Sequence, residues 1–234
     1  NMFSKINPDA INSIRASNNL TPDSILFLNA NRNSPRKRND LCIISFVELM
    51  SRDISKPYYM MMVTAVTQQG GGYYDLVRVY LAELAAHNIS AESVGKRLIL
   101  VDTGTTLLSD EKINEIYNIA DIGINTSDGE GFGLCQLEHL YLGAPQVVTD
   151  VGAYSTFLTP EVAEIIPATG HSYFSMTSAI GFKFPSFDHK MIADAMQRTI
   201  DTLDERREVI KTQHFKTWSE VCSEWLTDIR NECK

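Results

Sequence analysis

Apolar residues in this chain fall in short runs separated by stretches of helical spacing. The first run is Ile25-Leu26-Phe27-Leu28-Asn29, and the first helical stretch runs from Asp40 to about Met50, with Leu41, Ile44, Phe46, Val47 and Met50 on its apolar positions. A short continuous apolar run reads as a strand buried on both faces, whereas apolar residues three and four apart read as a helix with one buried face. The alternation continues with a strand Tyr58–Val66, a Gly70-Gly71-Gly72 loop, a helix from Tyr73 to about Ala86 and a strand Leu98–Val101. A helix Asp110–Ile119 opened by Ser109, a strand Asp121–Asn125, a helix near Gly133–Leu142 and a strand Gln146–Thr149 follow. Gly143 and Pro145 end the last of these helices. A strand near Ala163–Ile166, an irregular Gly/Ser segment over 170–181, and two long helices from about His189 to Leu203 and Asp204 to Arg230 close the chain.

Strands alternating with helices of ten or more residues predict βαβ units. The expected fold is therefore α/β: a doubly wound, Rossmann-like parallel sheet with helices on both faces. Residues 1–24, with a short helical pattern over Asp9–Arg15, form a lead-in. Residues 25–205 form the domain, and 206–234 a helical tail. Trp218 and Trp225, seven apart, mark an apolar stripe on that tail, expected to pack in the core or across to another domain.

Composition narrows the class. Of 234 residues, 44% are hydrophobic and 21% charged, as in ordinary folded domains. The net charge of -8 argues against broad nucleic-acid binding. Cys42, Cys135, Cys222 and Cys233 form no C-x-x-C pair, so reduced thiols and a cytoplasmic setting are expected. No apolar run approaches the ~20 residues of a membrane span. A chain that opens on Asn1 reads as part of something longer. Against the acidic background, Arg32, Arg36, Lys37 and Arg38 form a cationic knot, which suits either a solvated loop or a small anion.

In doubly wound sheets ligands bind beyond the carboxyl ends of the strands. The knot follows the first strand, and Thr126-Ser127-Asp128-Gly129-Glu130-Gly131-Phe132-Gly133 follows the strand at 121–125. A glycine-rich loop opening a helix offers backbone N–H groups to an anion. Its glycines fit neither G-x-G-x-x-G nor a P-loop, so alone it is as readily a bare turn. Glu130 and Glu138 sharpen the picture. Carboxylates beside a phosphate repel it unless they accept from hydroxyls, and a nucleotide sugar has hydroxyls on both sides of its diphosphate. Asp128 and Glu130 could instead hold a divalent metal. No D-x-D occurs, and the basic residues would fill the metal's electrostatic role, so metal-independent binding is expected. The five histidines form no i, i+4 pair, and His139 is expected to pack.

Glu130-Gly-Phe-Gly-Leu-Cys-Gln-Leu-Glu138 resembles the Glu-x(7)-Glu motif of retaining glycosyltransferases with the GT-B fold, family four. Three further segments resemble that family in order: the loop Asn31 to Arg38, the helix end Ile116-Tyr117-Asn118-Ile119-Ala120-Asp121, and Gly143-Ala144-Pro145-Gln146-Val147-Val148-Thr149-Asp150. The ordered match covers roughly residues 10–160. The resemblance implies the C-terminal, donor-binding half of a two-domain enzyme. It also implies a nucleoside-diphosphate sugar as donor substrate, no separate cofactor, and an N-terminal acceptor domain as partner. Membrane contact would come only from that other half.

By the same resemblance Glu130 meets the transferred sugar, Glu138 the ribose, and the amides of Gly131, Phe132, Gly133 and Leu134 the sugar and diphosphate. Arg32 and Lys37 supply the diphosphate charge, with Arg36 competing for the second place. Leu108 and Asp110 line the base pocket, and Asp110 leans the donor towards GDP-mannose. Arg38 stands where the family usually has glycine. Segment 168–182 resembles an insertion and has no assigned role. The alternatives are a non-catalytic sugar-nucleotide-binding module, or another GT-B enzyme such as a nucleotide-sugar epimerase.

Overall fold

Alternate residues of the first strand face opposite layers. Phe27 joins one apolar cluster, while Leu26 and Leu28 join another, and all three are buried. This is why the runs lack an apolar–polar alternation: the sheet is covered on both sides. The computed structural model describes residues 3–66, 71–174 and 182–232. Its main sheet has six parallel strands, β1 (Ile25–Asn29), β2 (Tyr58–Thr64), β3 (Leu98–Asp102), β4 (Ile122–Asn125), β5 (Gln146–Thr149) and β6 (Ala163–Ile166), in the order β3-β2-β1-β4-β5-β6. On one face lie α2 (Asn39–Arg52), α3 (Leu76–Ala86) and α7 (His189–Asp201), where Phe46, Met50, Ile192 and Met196 meet Phe27, Met60 and Met62. On the other, α1 (Pro8–Ser17) and α5 (Asp110–Ile119) bring Ile116, Tyr117 and Ile119 against Leu26, Leu28 and Met61.

Local signals set the helix ends. Ser109 caps α5 by accepting from the Lys112 N–H at 3.3 Å, and Asp188 caps α7 by accepting from Lys190 at 2.7 Å. Gly143, at φ +104, follows the short helix α6 (Leu134–Tyr141) in the left-handed conformation that suits glycine. The helix expected from Tyr73 starts later, at Leu76. Asp75 is its cap, accepting from Arg78 at 3.1 Å, and the amides of Tyr73 and Tyr74 are committed to Asn33 instead.

The second half departs further from expectation. The segment expected to be irregular over 170–181 contributes to a two-stranded antiparallel ribbon, β7 (Gly170–Phe174) with β8 (Phe182–Ser186); residues 175–181 lie outside the described residues, as do Gly70 and Cys233. A one-turn helix α4 (Ala91–Val94) lies before β3. The single long helix from Asp204 is two: α8 (Leu203–Thr212) and α9 (Trp218–Glu232). Gln213 turns extended (φ -74, ψ 138), and Thr217 with Glu220 closes a capping box, the Thr217 N–H donating to Glu220 Oε2 at 2.6 Å and the Glu220 N–H to Thr217 Oγ1 at 3.3 Å. The boundary expected after residue 205 falls inside α8, whose Leu203 and Ile210 belong to the core. The tryptophans are not core: Trp218 is 78% and Trp225 63% exposed.

Asp121 ties the lower end together. One carboxylate oxygen accepts from the Leu26 amide at 2.9 Å and from Arg15 of α1 at 3.0 Å, and the other from Arg207 of α8 at 2.7 Å. The lead-in is thus docked on the domain, with Ser4 and Ile6 amides also donating to Asn114 and Asn118 of α5.

Candidate functional site: the paired loops beyond β1 and β4

β1 and β4 are neighbours, but the chain leaves β1 for β2 and β4 for β5 on opposite sides. This is a topological switch point, where two loops diverge and leave a crevice between them. The loop after β1 is pinned first by Asn33. Its buried amide donates to the carbonyls of Ala65 and Tyr74, both at 2.9 Å, and accepts from the Tyr74 N–H at 3.0 Å. Residues Pro35–Lys37 then form one turn of 3-10 helix that ends in Arg38 at φ +47 and ψ +48.

Three successive residues of that turn grip the loop after β4. Arg36 donates to the Gly129 carbonyl, and its own carbonyl accepts from the Asp128 N–H at 2.9 Å. Lys37 pairs with Glu130 and also donates to Asn31 Oδ1 at 3.0 Å; both partners of the ion pair are largely buried. Arg38 binds Asp40 through Nε and Nη2, each at 3.1 Å, and reaches Asp128 through Nη1 at 3.3 Å, while its carbonyl accepts from Thr126 Oγ1 at 2.8 Å. Arg32 is exposed, with no side-chain partner among the described residues.

Electrostatics follow from this packing. Burial alone would push the Glu130 carboxyl up, but the Lys37 hydrogen bond and charge, helped by the Gly131 N–H and Arg36, outweigh it and hold the group below its usual range. Burial pushes Asp128 up to about 6 despite Arg38, and Asp40 adds to the rise. Glu138 is raised by burial, while the Tyr117 hydroxyl, donating to Oε2 at 2.8 Å, opposes the rise. Cys135 donates to the Ala30 carbonyl at 3.3 Å, and burial keeps its thiol protonated.

The start of α6 is shaped by two crowded glycines and one open one. A Cβ on Gly133, at φ +91, would lie 2.2 Å from the Tyr154 ring, and one on Gly152, at φ +62, 2.1 Å from the Glu130 carbonyl oxygen. A Cβ on Gly131 would meet nothing within 4 Å. Phe132 stacks on Phe157 with centroids 5.1 Å apart, and Leu134 is 59% exposed. Beneath the loops runs a buried polar network that the sequence reading missed. Asn125 donates to Gln136 Oε1 at 3.0 Å, to Asn31 at 3.3 Å and to the Tyr154 hydroxyl, and accepts from the Ser127 amide at 3.0 Å.

The family profile described as glycosyl transferases group 1 matches residues 85–201, half of the chain. The chain belongs to this family. Sucrose-phosphate synthase from Thermosynechococcus elongatus superposes with TM-score 0.63 at 20% identity, over 98% of this chain and 49% of its own. HepE of Anabaena, in complex with UDP and glucose, gives 0.62 at 14% identity, over 88% of this chain and 46% of its own. A glycosyltransferase from Rickettsia africae gives 0.61 at 14%, again over 88% and 46%. At these identities the likeness is one of fold. This group 1 chain spans about half the length of the solved structures it matches. No curated protein matches it in sequence.

Within this group 1 fold, the residues singled out from sequence separate into three groups, with Arg32 exposed outside them. Arg36, Lys37, Glu130 and Gly131–Leu134 stand together at the switch point. Glu138 sits one layer back, joined to α5 through Tyr117. Leu108 is half-buried against the α5 cluster and Asp110 is exposed in the first turn of α5; no hydrogen bond or ion pair joins either side chain to the paired loops among the described residues. The described residues hold no group of three His, Cys, Asp or Glu side chains placed for a metal ion. His139, buried against Tyr117 with its ring centroid 5.5 Å away, packs; burial brings its imidazole down to about 4. None of the described helices is long and apolar enough to cross a membrane.

Proposed function

We propose that this chain is the donor-binding half of a retaining glycosyltransferase that takes a nucleoside-diphosphate sugar. One observation carries the reading. A cation and a carboxylate, Lys37 and Glu130, meet where two loops part, beside a helix start whose Gly131 has open space over its backbone. Lys37 and Arg32 would receive the diphosphate. As the bond to the sugar breaks, charge grows on the leaving diphosphate, and these cations with the first amides of α6 stabilise it as it forms. Glu130 accepts from hydroxyls of the sugar and fixes its orientation at the reaction centre. Glu138, with Oε2 held by Tyr117, offers Oε1 to a ribose hydroxyl. The acceptor belongs to an N-terminal domain of the same enzyme, the free thiols of Cys42, Cys135 and Cys222 fit a cytoplasmic setting, and binding needs no metal.

The base pocket lies at the start of α5, above Leu108. The exposed carboxylate of Asp110 suits guanine, whose N1–H and 2-amino groups both donate, and this favours GDP-mannose. A UDP-sugar is the second reading, supported by the UDP and glucose bound to HepE. A thermal-shift panel of UDP-, GDP- and ADP-sugars on the full-length enzyme, with and without EDTA, tests donor binding, the base and the metal. A bound donor at 100 times its Kd adds about 2.7 kcal/mol of stability. Tighter binding of GDP than UDP, lost in Asp110→Ala, supports the guanine pocket; tighter UDP binding refutes it. A tenfold gain on adding Mg²⁺ refutes metal independence, and a panel with no shift refutes donor binding.

A further inference from the structure

We propose that Arg38 and Asp128 are positioning residues for donor binding: their ion pair keeps the two loops in register so that Lys37 and Glu130 meet the donor together. The inference rests on the donor reading above and adds how that site is held and regulated.

Two of the three side chains that join the loops would be drawn on by the ligand. Lys37 must turn part of its charge from Glu130 towards the diphosphate, and Arg36 is exposed beside it. Arg38 is different. All three of its guanidinium nitrogens are already engaged, two by Asp40 at the head of α2 and one by Asp128 across the gap. Its charge is thus already shared between two carboxylates, and these contacts persist when Lys37 is recruited. The same residue anchors the loop through its backbone, since Thr126 donates to its carbonyl. Its own conformation is left-handed, which costs any L-residue free energy that glycine would not lose. A site that keeps an arginine there gains something from the side chain.

The clamp depends on charge. Asp128 is flanked by Arg38 and Asp40, with Arg36, Lys37 and Glu130 on the two loops, and burial places its carboxyl near neutrality, at about 6. A proton on Asp128 removes the charge that Arg38 holds, so donor affinity falls as pH drops through that value. The diphosphate of a nucleotide sugar is a diester without an ionisation in this range, so it does not confound the reading.

The test measures Kd for the preferred nucleotide sugar by calorimetry on the full-length enzyme, from pH 7.5 to 5.5, with urea midpoints for each protein. Arg38→Gly and Asp128→Asn are each expected to weaken binding about tenfold at pH 7.5, and the double variant no further than either. The wild type loses affinity below pH 6; Asp128→Asn does not. Arg38→Gly, relieved of the left-handed cost, keeps its urea midpoint, which a merely structural arginine would not allow. Unchanged Kd in both folded variants, or losses that simply add in the double variant, overturn the clamp while leaving the donor reading intact. A wild type that binds no nucleotide sugar overturns both.

Discussion

Gly152→Ala puts the geometry of the loop after β4 to a direct test. Gly152 lies at φ +62, and its Cβ would stand 2.1 Å from the Glu130 carbonyl oxygen and 3.0 Å from that of Gly131. Ordinary contact begins near 3.4 Å, so the backbone of Glu130 must retreat by about 1.3 Å. An L-residue in the left-handed region costs about 1–2 kcal/mol, and overpacking typically adds about 1–3 kcal/mol. The expected loss is therefore about 2–5 kcal/mol of stability, read from urea unfolding. Function suffers separately. Glu130 moves off Lys37, and the Ala153 N–H that donates to the Gly131 carbonyl at 3.1 Å moves with it. A displacement of about 1 Å at a reacting centre can cost on the order of 100-fold in rate. Donor Kd and turnover should both worsen even in the fraction that stays folded. A Gly152→Ala protein with wild-type urea midpoint and wild-type donor affinity would refute the claim that this glycine carries the Glu130 backbone.

Gly131→Ala is the converse case: its Cβ meets no protein atom, so stability should stay within about 0.5 kcal/mol. Donor affinity should nonetheless fall if the ligand lies over that backbone, and an unchanged Kd would move the diphosphate elsewhere. Glu130→Gln should weaken the nucleotide sugar but hold or improve binding of the free nucleoside diphosphate, because it releases Lys37; Glu138→Gln should weaken both, and equal behaviour of the two variants contradicts their assigned roles. His139 is held neutral, with a folded value of about 4 against about 6.5 unfolded. The unfolded chain then binds more protons between those values, so His139 stability is present above pH 6.5 and is lost as pH falls towards 4, about 3 kcal/mol in all. Urea midpoints across that range check it, and His139→Phe should flatten the slope.

The sheet was legible because its strands are buried on both faces, so Leu26-Phe27-Leu28 and Met60-Met61-Met62 stand out as unbroken apolar runs. The ribbon of β7 and β8 was not, since Gly170, Ser172 and Ser186 dilute any apolar period. The break before α9 did leave a signal, Thr217 three residues before Glu220, but a continuous helical stripe overrode it. In the site, the motif residues were recognised through the family resemblance. The structure adds which side chains meet, as with Lys37 and Glu130, which lie 93 positions apart. Asn31, Asn125, Gln136 and Tyr154 left no local pattern of their own. Their meaning lies in mutual hydrogen bonds under the loops, and such partners are invisible until the chain is folded.

The turn at Pro35–Lys37 has one more consequence. A 3-10 helix has three residues per turn, so neighbouring side chains point about 120° apart. Arg36 and Lys37 therefore diverge, to a carbonyl and to the Glu130 carboxylate, and the left-handed turn at Arg38 sends its side chain to two further carboxylates. The basic cluster is not a diffuse patch of charge whose members substitute for one another. Deleting or inserting one residue ahead of it would rotate every side chain into its neighbour's job, leaving the composition of the loop almost unchanged while dismantling all three contacts at once.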